Sequence, residues 1–240
     1  MHIVDISMNG HYAIAIDGPS GAGKSSLAQR CAKAFGIIYV DTGAIYRTVG
    51  LAAYRRGIDR KDEEAVSQIL SGLQIEMRYD DNGEQRMYLN SEDVSREIRM
   101  PEISICASDV SALPKVRAFL LEMQRQLARE NNVIMDGRDI GTVVLPDAEL
   151  KIFLTASARA RAERRMKQLE EKGVKADYAE LLKDIQYRDD QDSNRAAAPL
   201  KAAEDAVLLD TTEIDFDASF KKLCDIIAER LGVLPTGESQ

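Results

Sequence analysis

Histidine is nearly missing from this 240-residue chain, and that shortage removes several chemistries. The two present, His2 and His11, both precede the first apolar run, so a histidine base, a Ser-His-Asp triad or a His-ligated metal would need the N-terminus to fold back on the core. Cysteine is also scarce. Cys31, Cys106 and Cys224 stand far apart with no C-x-x-C pair, which suits a reducing compartment and ordinary packing, not a disulfide or zinc framework. No segment approaches the ~18 apolar residues that would span a bilayer, and the N-terminus lacks a basic stretch followed by an apolar one. A cytoplasmic protein with no membrane partner is expected. Positive charge is in deficit, with 32 Lys+Arg against 40 Asp+Glu and a net charge of -8. That balance repels nucleic acid, so no nucleic-acid partner is expected and any phosphate site must be locally concentrated. Coiled-coil heptads are absent as well, which leaves a monomer as the expected state.

What the chain does have is Gly18-Pro19-Ser20-Gly21-Ala22-Gly23-Lys24-Ser25, a complete phosphate-binding P-loop. It lies between an apolar run, Ala13 to Ile16, and a helix-like stretch that starts at Ser26. Glycines let backbone N–H groups turn inward around a polyphosphate, Lys24 adds a mobile cation, and the Ser25 hydroxyl offers a ligand to Mg²⁺. The helix that follows points its positive end at the anion. Gly18 to Ser26 are therefore the candidate ATP-binding residues.

Short apolar runs recur at Ala13 to Ile16, Ile37 to Val40, Val133 to Met135, Lys151 to Leu154 and Ala206 to Leu209, with helical stretches between. This pattern predicts an α/β protein of the P-loop NTPase type, a five-stranded parallel sheet with helices on both faces. Acidic residues close four runs: Asp17, Asp41, Asp136 and Asp210. Ligands in such sheets bind beyond the carboxyl ends of the strands, so these positions should share a rim. Asp210 is read instead as a turn or cap residue. Leu73 to Tyr79, Asn82-Gly83 and Arg86 to Leu89 read as a β-hairpin, which marks an inserted subdomain at 59–103 within a core of 1–58 and 104–240. A returning helix carries Val116, Phe119, Leu120, Met123 and Leu127.

The stretch 155–172 is helical in pattern but polar, with Arg159, Arg161, Arg164 and Arg165. Either a solvated face or an arginine-bearing lid, spanning about 155–195 with the next helix, would give this pattern. On that next helix Arg188, Asp192 and Arg195 share a face. Arg47, Arg117 and Arg138 add to an arginine set able to fork phosphate oxygens. A phosphate monoester acceptor is already ionised near neutral pH, so it would need positioning and charge neutralisation more than a strong base. That agrees with the lack of histidine. There is no N-K-x-D guanine signature, and Leu70-Ser71-Gly72-Leu73-Gln74 departs from the transporter ATPase signature at its fourth residue.

In five places, taken in order, the chain resembles the bacterial cytidylate kinases of the nucleoside monophosphate kinase group. The matches are Ile16 to Lys24, Asp41-Thr42-Gly43-Ala44-Ile45-Tyr46-Arg47, Asp93 to Arg99, Asp136-Gly137-Arg138-Asp139 through Val144, and Arg188-Asp189-Asp190 through Arg195. The resemblance implies ATP as donor with Mg²⁺, CMP or dCMP as acceptor, and an enlarged monophosphate-binding domain in the insertion. It places Thr42, Tyr46, Arg47, Ser108, Arg117, Arg138, Asp139, Arg188, Asp192 and Arg195 beside the acceptor, and Arg161 and Arg165 on ATP from the lid. Lys24, Arg138 and Arg188 become the candidate catalytic residues and Ser25 the metal ligand. Lys24-Ser25-Ser26 stands where relatives carry Lys-Gly-Thr or Lys-Ser-Thr, and the hydroxyl at Ser25 is kept. A kinase for UMP, AMP or a small hydroxylated metabolite stays open, with Asp139 then a candidate base. A nucleotide-dependent switch is the reading from another class.

Overall fold

The computed structural model describes residues 10–195 and 197–236. In chain order the elements are β1 (Ala13–Asp17), α1 (Lys24–Phe35), β2 (Ile38–Asp41), α2 (Thr42–Arg55), α3 (Glu63–Leu70), β3 (Ile75–Tyr79), β4 (Gln85–Leu89) and β5 (Glu92–Asp93). They continue with α4 (Pro101–Ser111), α5 (Pro114–Glu130), β6 (Val133–Gly137), β7 (Leu150–Thr155), α6 (Ala158–Glu171), α7 (Tyr178–Asn194), β8 (Val207–Asp210) and α8 (Phe216–Leu231). His2 lies outside the described residues. Each of the five apolar runs is a strand.

The chain forms two compact units, the first made of 1–38 with 131–240 and the second of 39–130. In the first, the five-stranded sheet runs β2-β6-β1-β7-β8, with the chain leaving the unit after Ile38 of β2. β1 pairs in parallel with β6 and β7, and β7 with β8. β1 and β6 are buried along their whole length, which is why they read as unbroken apolar runs, whereas β7 alternates, with Leu150, Ile152 and Leu154 turned inward. α1 buries Leu27, Ala28, Cys31, Ala32 and Phe35, a stripe of helical period, and stops at Gly36, whose φ of 64° suits glycine.

The second unit contains the antiparallel sheet β3-β4-β5 and the helices α2 to α5. The hairpin is as expected. Ile75 pairs with Leu89 and Tyr79 with Gln85, Gly83 N donates to Asp80 O at 2.8 Å, and Gly83 takes a φ of 73°. The unit is wider than the 59–103 insertion expected from sequence. α2 packs on α4 and α3 on α5, so helices on both sides of that segment share its core. The α2–α4 approach is close enough that a Cβ on Gly50 would meet the backbone of Cys106 and Ala107 at 3.0 Å.

Candidate active site

In the first unit the P-loop leaves the carboxyl end of β1 and enters α1. Gly18 starts it at a φ of 150°, so close to β7 that a Cβ there would lie 1.9 Å from the carbonyl oxygen of Leu154. Gly21 and Gly23 also take positive φ, 75° and 91°, which turns the loop around its own N–H groups. The loop delivers Lys24 as the first residue of α1. The Lys24 ammonium donates to Pro19 O at 2.8 Å and is only 5% exposed. Burial and the neighbouring Arg138 push its pKa down to about 7, against the pull of Asp136, Asp17 and Asp192. Ser25 stays exposed, and its hydroxyl donates to the Asp136 carboxylate at 2.8 Å.

The β-register sets Ile16 beside Asp136 and Asp17 beside Gly137, so the two strand-end carboxylates are neighbours. Asp17 accepts from Ile140 N at 2.7 Å and Gly141 N at 2.8 Å and thereby fixes the turn that follows Arg138-Asp139. Burial raises its pKa to about 6 in spite of those two donors, with the Asp139 charge adding to the rise. Arg138 donates through Nε to Asp192 of α7 at 2.6 Å, and Arg195 donates to Asp139 at 3.1 Å. The expected face of Arg188, Asp192 and Arg195 is therefore tied to the Arg138-Asp139 motif by two ion pairs, with Arg188 itself exposed. Asp210 accepts from the N–H and hydroxyl of Thr212, the turn role read from sequence.

Arg161, expected on ATP from the lid, is engaged with groups of the chain itself. It is 4% exposed, and its guanidinium donates to Ala156 O, to Ser20 O at 2.8 Å and to both carboxylate oxygens of Asp189. A carboxylate 28 residues further on in sequence captures it, and it braces the P-loop from the side of α6. Arg165 is exposed, and Arg164 bonds the Thr211 and Ile214 carbonyls. α7 buries no residue and packs on α6, so 158–194 forms a solvent-facing helical hairpin.

In the second unit Asp41 caps α2 by accepting from Ala44 N at 3.0 Å, which presents Thr42, Tyr46 and Arg47 on the first turns. Gln85 brackets the cap from β4: its Oε1 accepts from Asp41 N at 2.7 Å and its Nε2 donates to Asp41 O at 3.3 Å. Arg47 lies 3.7 Å from the Asp41 carboxylate, and the Arg117 guanidinium sits over the Tyr46 ring at 5.9 Å. Ser108 is exposed on α4. Sequence reasoning gave no role to Gln85, and it did not pair Asp189 with Arg161 or Asp136 with Ser25. Of these, Asp136 had left a signal as an acidic residue closing an apolar run, and Asp189 lay in the last of the five matched stretches.

Among the described residues no group of three or more His, Cys, Asp or Glu could hold a metal ion by itself. The hydroxyl of Ser25 beside the Asp136 carboxylate is nevertheless the oxygen donor set that suits Mg²⁺ shared with nucleotide phosphates.

A P-loop running from β1 into α1, with a strand-end carboxylate on its serine and an arginine-rich helical hairpin beside it, defines a nucleotide-binding protein of the P-loop kinase class. A family model described as cytidylate kinase matches residues 14–231. A cytidylate kinase of Caldicellulosiruptor bescii is 47% identical over 213 residues, which covers 89% of this chain and 94% of that one. Those of Lactobacillus johnsonii and Syntrophotalea carbinolica are 47% and 46% identical, covering 90% and 93% of this chain and 94% of each relative. The chain belongs to the cytidylate kinase family. No described helix is long and apolar enough to cross a membrane.

Proposed function

We propose that this protein transfers the γ-phosphoryl group of ATP in line to CMP and dCMP, giving ADP with CDP or dCDP. The observation that carries the reading is the Ser25–Asp136 bond beside Lys24 on the P-loop, in a chain of the cytidylate kinase family. Gly18 to Ser26 bind the triphosphate, with loop N–H groups on its oxygens and the Lys24 ammonium released from Pro19 O to the phosphates. Mg²⁺ held by Ser25, with Asp136 on the serine, supplies charge neutralisation on the triphosphate when bound. Arg138 and Arg188 neutralise the transferring group, and Arg165 approaches ATP from the hairpin α6–α7. Arg161 contributes by holding Ser20 in place. On the acceptor, Arg47, Arg117 and Arg195 bind the phosphate, while Thr42, Tyr46, Ser108, Asp139 and Asp192 orient the nucleoside. The acceptor phosphate arrives ionised, so no side chain has to remove a proton from it. We assign the reaction to a cytoplasmic monomer.

The test is ADP release in a coupled assay with CMP, dCMP, UMP, AMP and shikimate as acceptors. Turnover with CMP and dCMP well above the others is expected. Turnover with a non-phosphorylated acceptor alone would overturn the assignment, and acceptor-independent hydrolysis would point to a switch.

A further inference from the structure

Cys31 and Cys224, 193 residues apart in sequence, bring their sulfurs to 3.8 Å where α1 packs on α8. Neither belongs to the nucleotide site. Cys31 lies on the buried stripe of α1, seven residues beyond Lys24 (31 − 24 = 7), or about 10 Å along the helix axis. Cys31 is fully buried, whereas Cys224 is half-buried, so Cys224 is the more accessible residue of the pair. Arg30 stands next to the pair, with its guanidinium 4.1 Å from the Phe220 ring and ion-paired to Asp217. The hydrogen bond shared with Cys31 lowers the Cys224 pKa, and the Arg30 charge adds to this against burial and Asp225. The same bond, with burial, holds Cys31 in the thiol form. A half-buried thiol of lowered pKa with a fully buried thiol behind it has the form of an attacking and a resolving cysteine. The third cysteine lacks this arrangement: Cys106 donates to Glu102 O and accepts from Arg60.

We propose that Cys31 and Cys224 form an oxidation site, at which a hydroperoxide converts the two thiols into a disulfide joining α1 to α8. In the first step the Cys224 sulfur attacks a peroxide oxygen. An S–O bond forms, the O–O bond breaks, and the departing oxygen takes the thiol proton and leaves as water or an alcohol. In the second step the Cys31 sulfur attacks the Cys224 sulfur of the resulting sulfenic acid; the S–S bond forms, the S–O bond breaks, and hydroxide leaves as water with the Cys31 proton. Two electrons pass from the thiols to the hydroperoxide. The sulfurs close from 3.8 Å to about 2.05 Å, a movement shared between side-chain torsions on two helices. The link spans most of the chain, so it restricts the unfolded state strongly, and Tm is expected to rise by about 5–10 °C.

The experiment treats the full-length protein with hydrogen peroxide at neutral pH and counts thiols after denaturation. The expected result is a fall from three thiols to one, with a peptide map joining Cys31 to Cys224, reversal by dithiothreitol and a higher Tm. Cys106→Ser should link in the same way, while Cys31→Ser should leave a Cys224 sulfenic acid that dimedone traps. Retention of all three thiols under excess peroxide, a bond to Cys106 or between two chains, or a lower Tm in the linked form would overturn the proposal.

Discussion

The hydroxyl of Ser25 donates to the carboxylate of Asp136 at 2.8 Å, across 111 residues of sequence. One residue lies in the first turn of the P-loop helix and the other near the end of the neighbouring strand, and the parallel pairing of β1 with β6 brings them to the same end of the sheet. Asp136→Asn keeps the size of the side chain and removes the charge. Turnover should drop by about 10²-fold or more, with the Mg²⁺ concentration for half-maximal rate shifted upward. Titration of the rate with Mg²⁺ at saturating ATP measures both. An unchanged Mg²⁺ dependence would remove Asp136 from the ion's surroundings.

Lys24 links binding to protons. Its pKa of about 7 lies below the ordinary lysine value of 10.5 because burial opposes the ammonium. ATP phosphates favour the ammonium, so at pH 8 binding of ATP should take up a proton. Calorimetry in buffers of different ionisation enthalpy reads that uptake directly. Between about pH 7 and 10.5 the unfolded chain binds the proton that the folded one has lost, so this group makes stability rise with pH over that window. Below pH 7 the full cost of the buried charge is present. Lys24→Met should therefore raise Tm at pH 6 while lowering kcat by at least about 10³-fold.

Asp17 carries the opposite sign. Its folded pKa of about 6 exceeds the ordinary 3.8, so the folded chain holds more protons between those values and the group's contribution to stability falls as pH rises through that window. Asp17→Asn should abolish that part of the pH dependence in denaturant melts. It should also raise the KM for CMP more than that for ATP, because an amide accepts through one oxygen only while Ile140 N and Gly141 N both donate.

Arg161 and Arg165 separate bracing from contact. Arg161→Ala strips donors from Ser20 O and leaves the Asp189 carboxylate without its buried guanidinium, so a loss of about 2–4 kcal/mol in unfolding free energy is expected, together with a higher KM for ATP. Arg165→Ala, at an exposed position, should leave the melt unchanged and alter only kinetics. Equal stability losses in the two variants would contradict the division.

Arg188→Ala tests the transferring-group role at a side chain that carries no folding cost, since it is exposed on α7. Turnover should fall more than the KM for ATP rises, by up to about 10³-fold if it acts as arginine fingers do. Steady-state kinetics at saturating CMP give the split.

Much of this protein could be read from local pattern alone. The P-loop from Gly18 to Ser25 requires only neighbours in sequence, because a strand, a glycine turn and a helix start are built from consecutive residues and their preferred dihedrals. The two central strands were legible for a similar reason: burial on both faces writes an apolar run into the chain, as β1 and β6 show. The hairpin at Asn82-Gly83 follows from Gly83's positive φ.

The tertiary structure decided which distant groups meet. Nothing around Arg161 tells that Asp189 will take its guanidinium, or that a polar-looking helix will bury that arginine while leaving Arg165 in solvent. The strand-end aspartates looked alike in sequence, yet sheet register gave Asp17 two backbone donors and gave Asp136 the Ser25 hydroxyl. The extent of the second unit, 39–130, likewise came from packing of α2 on α4 and not from any change in composition at its ends. Dihedral preference and apolar periodicity act between near neighbours and survive in the sequence. Ion pairs, desolvation and helix contacts depend on distance in space, and only the folded chain sets those distances.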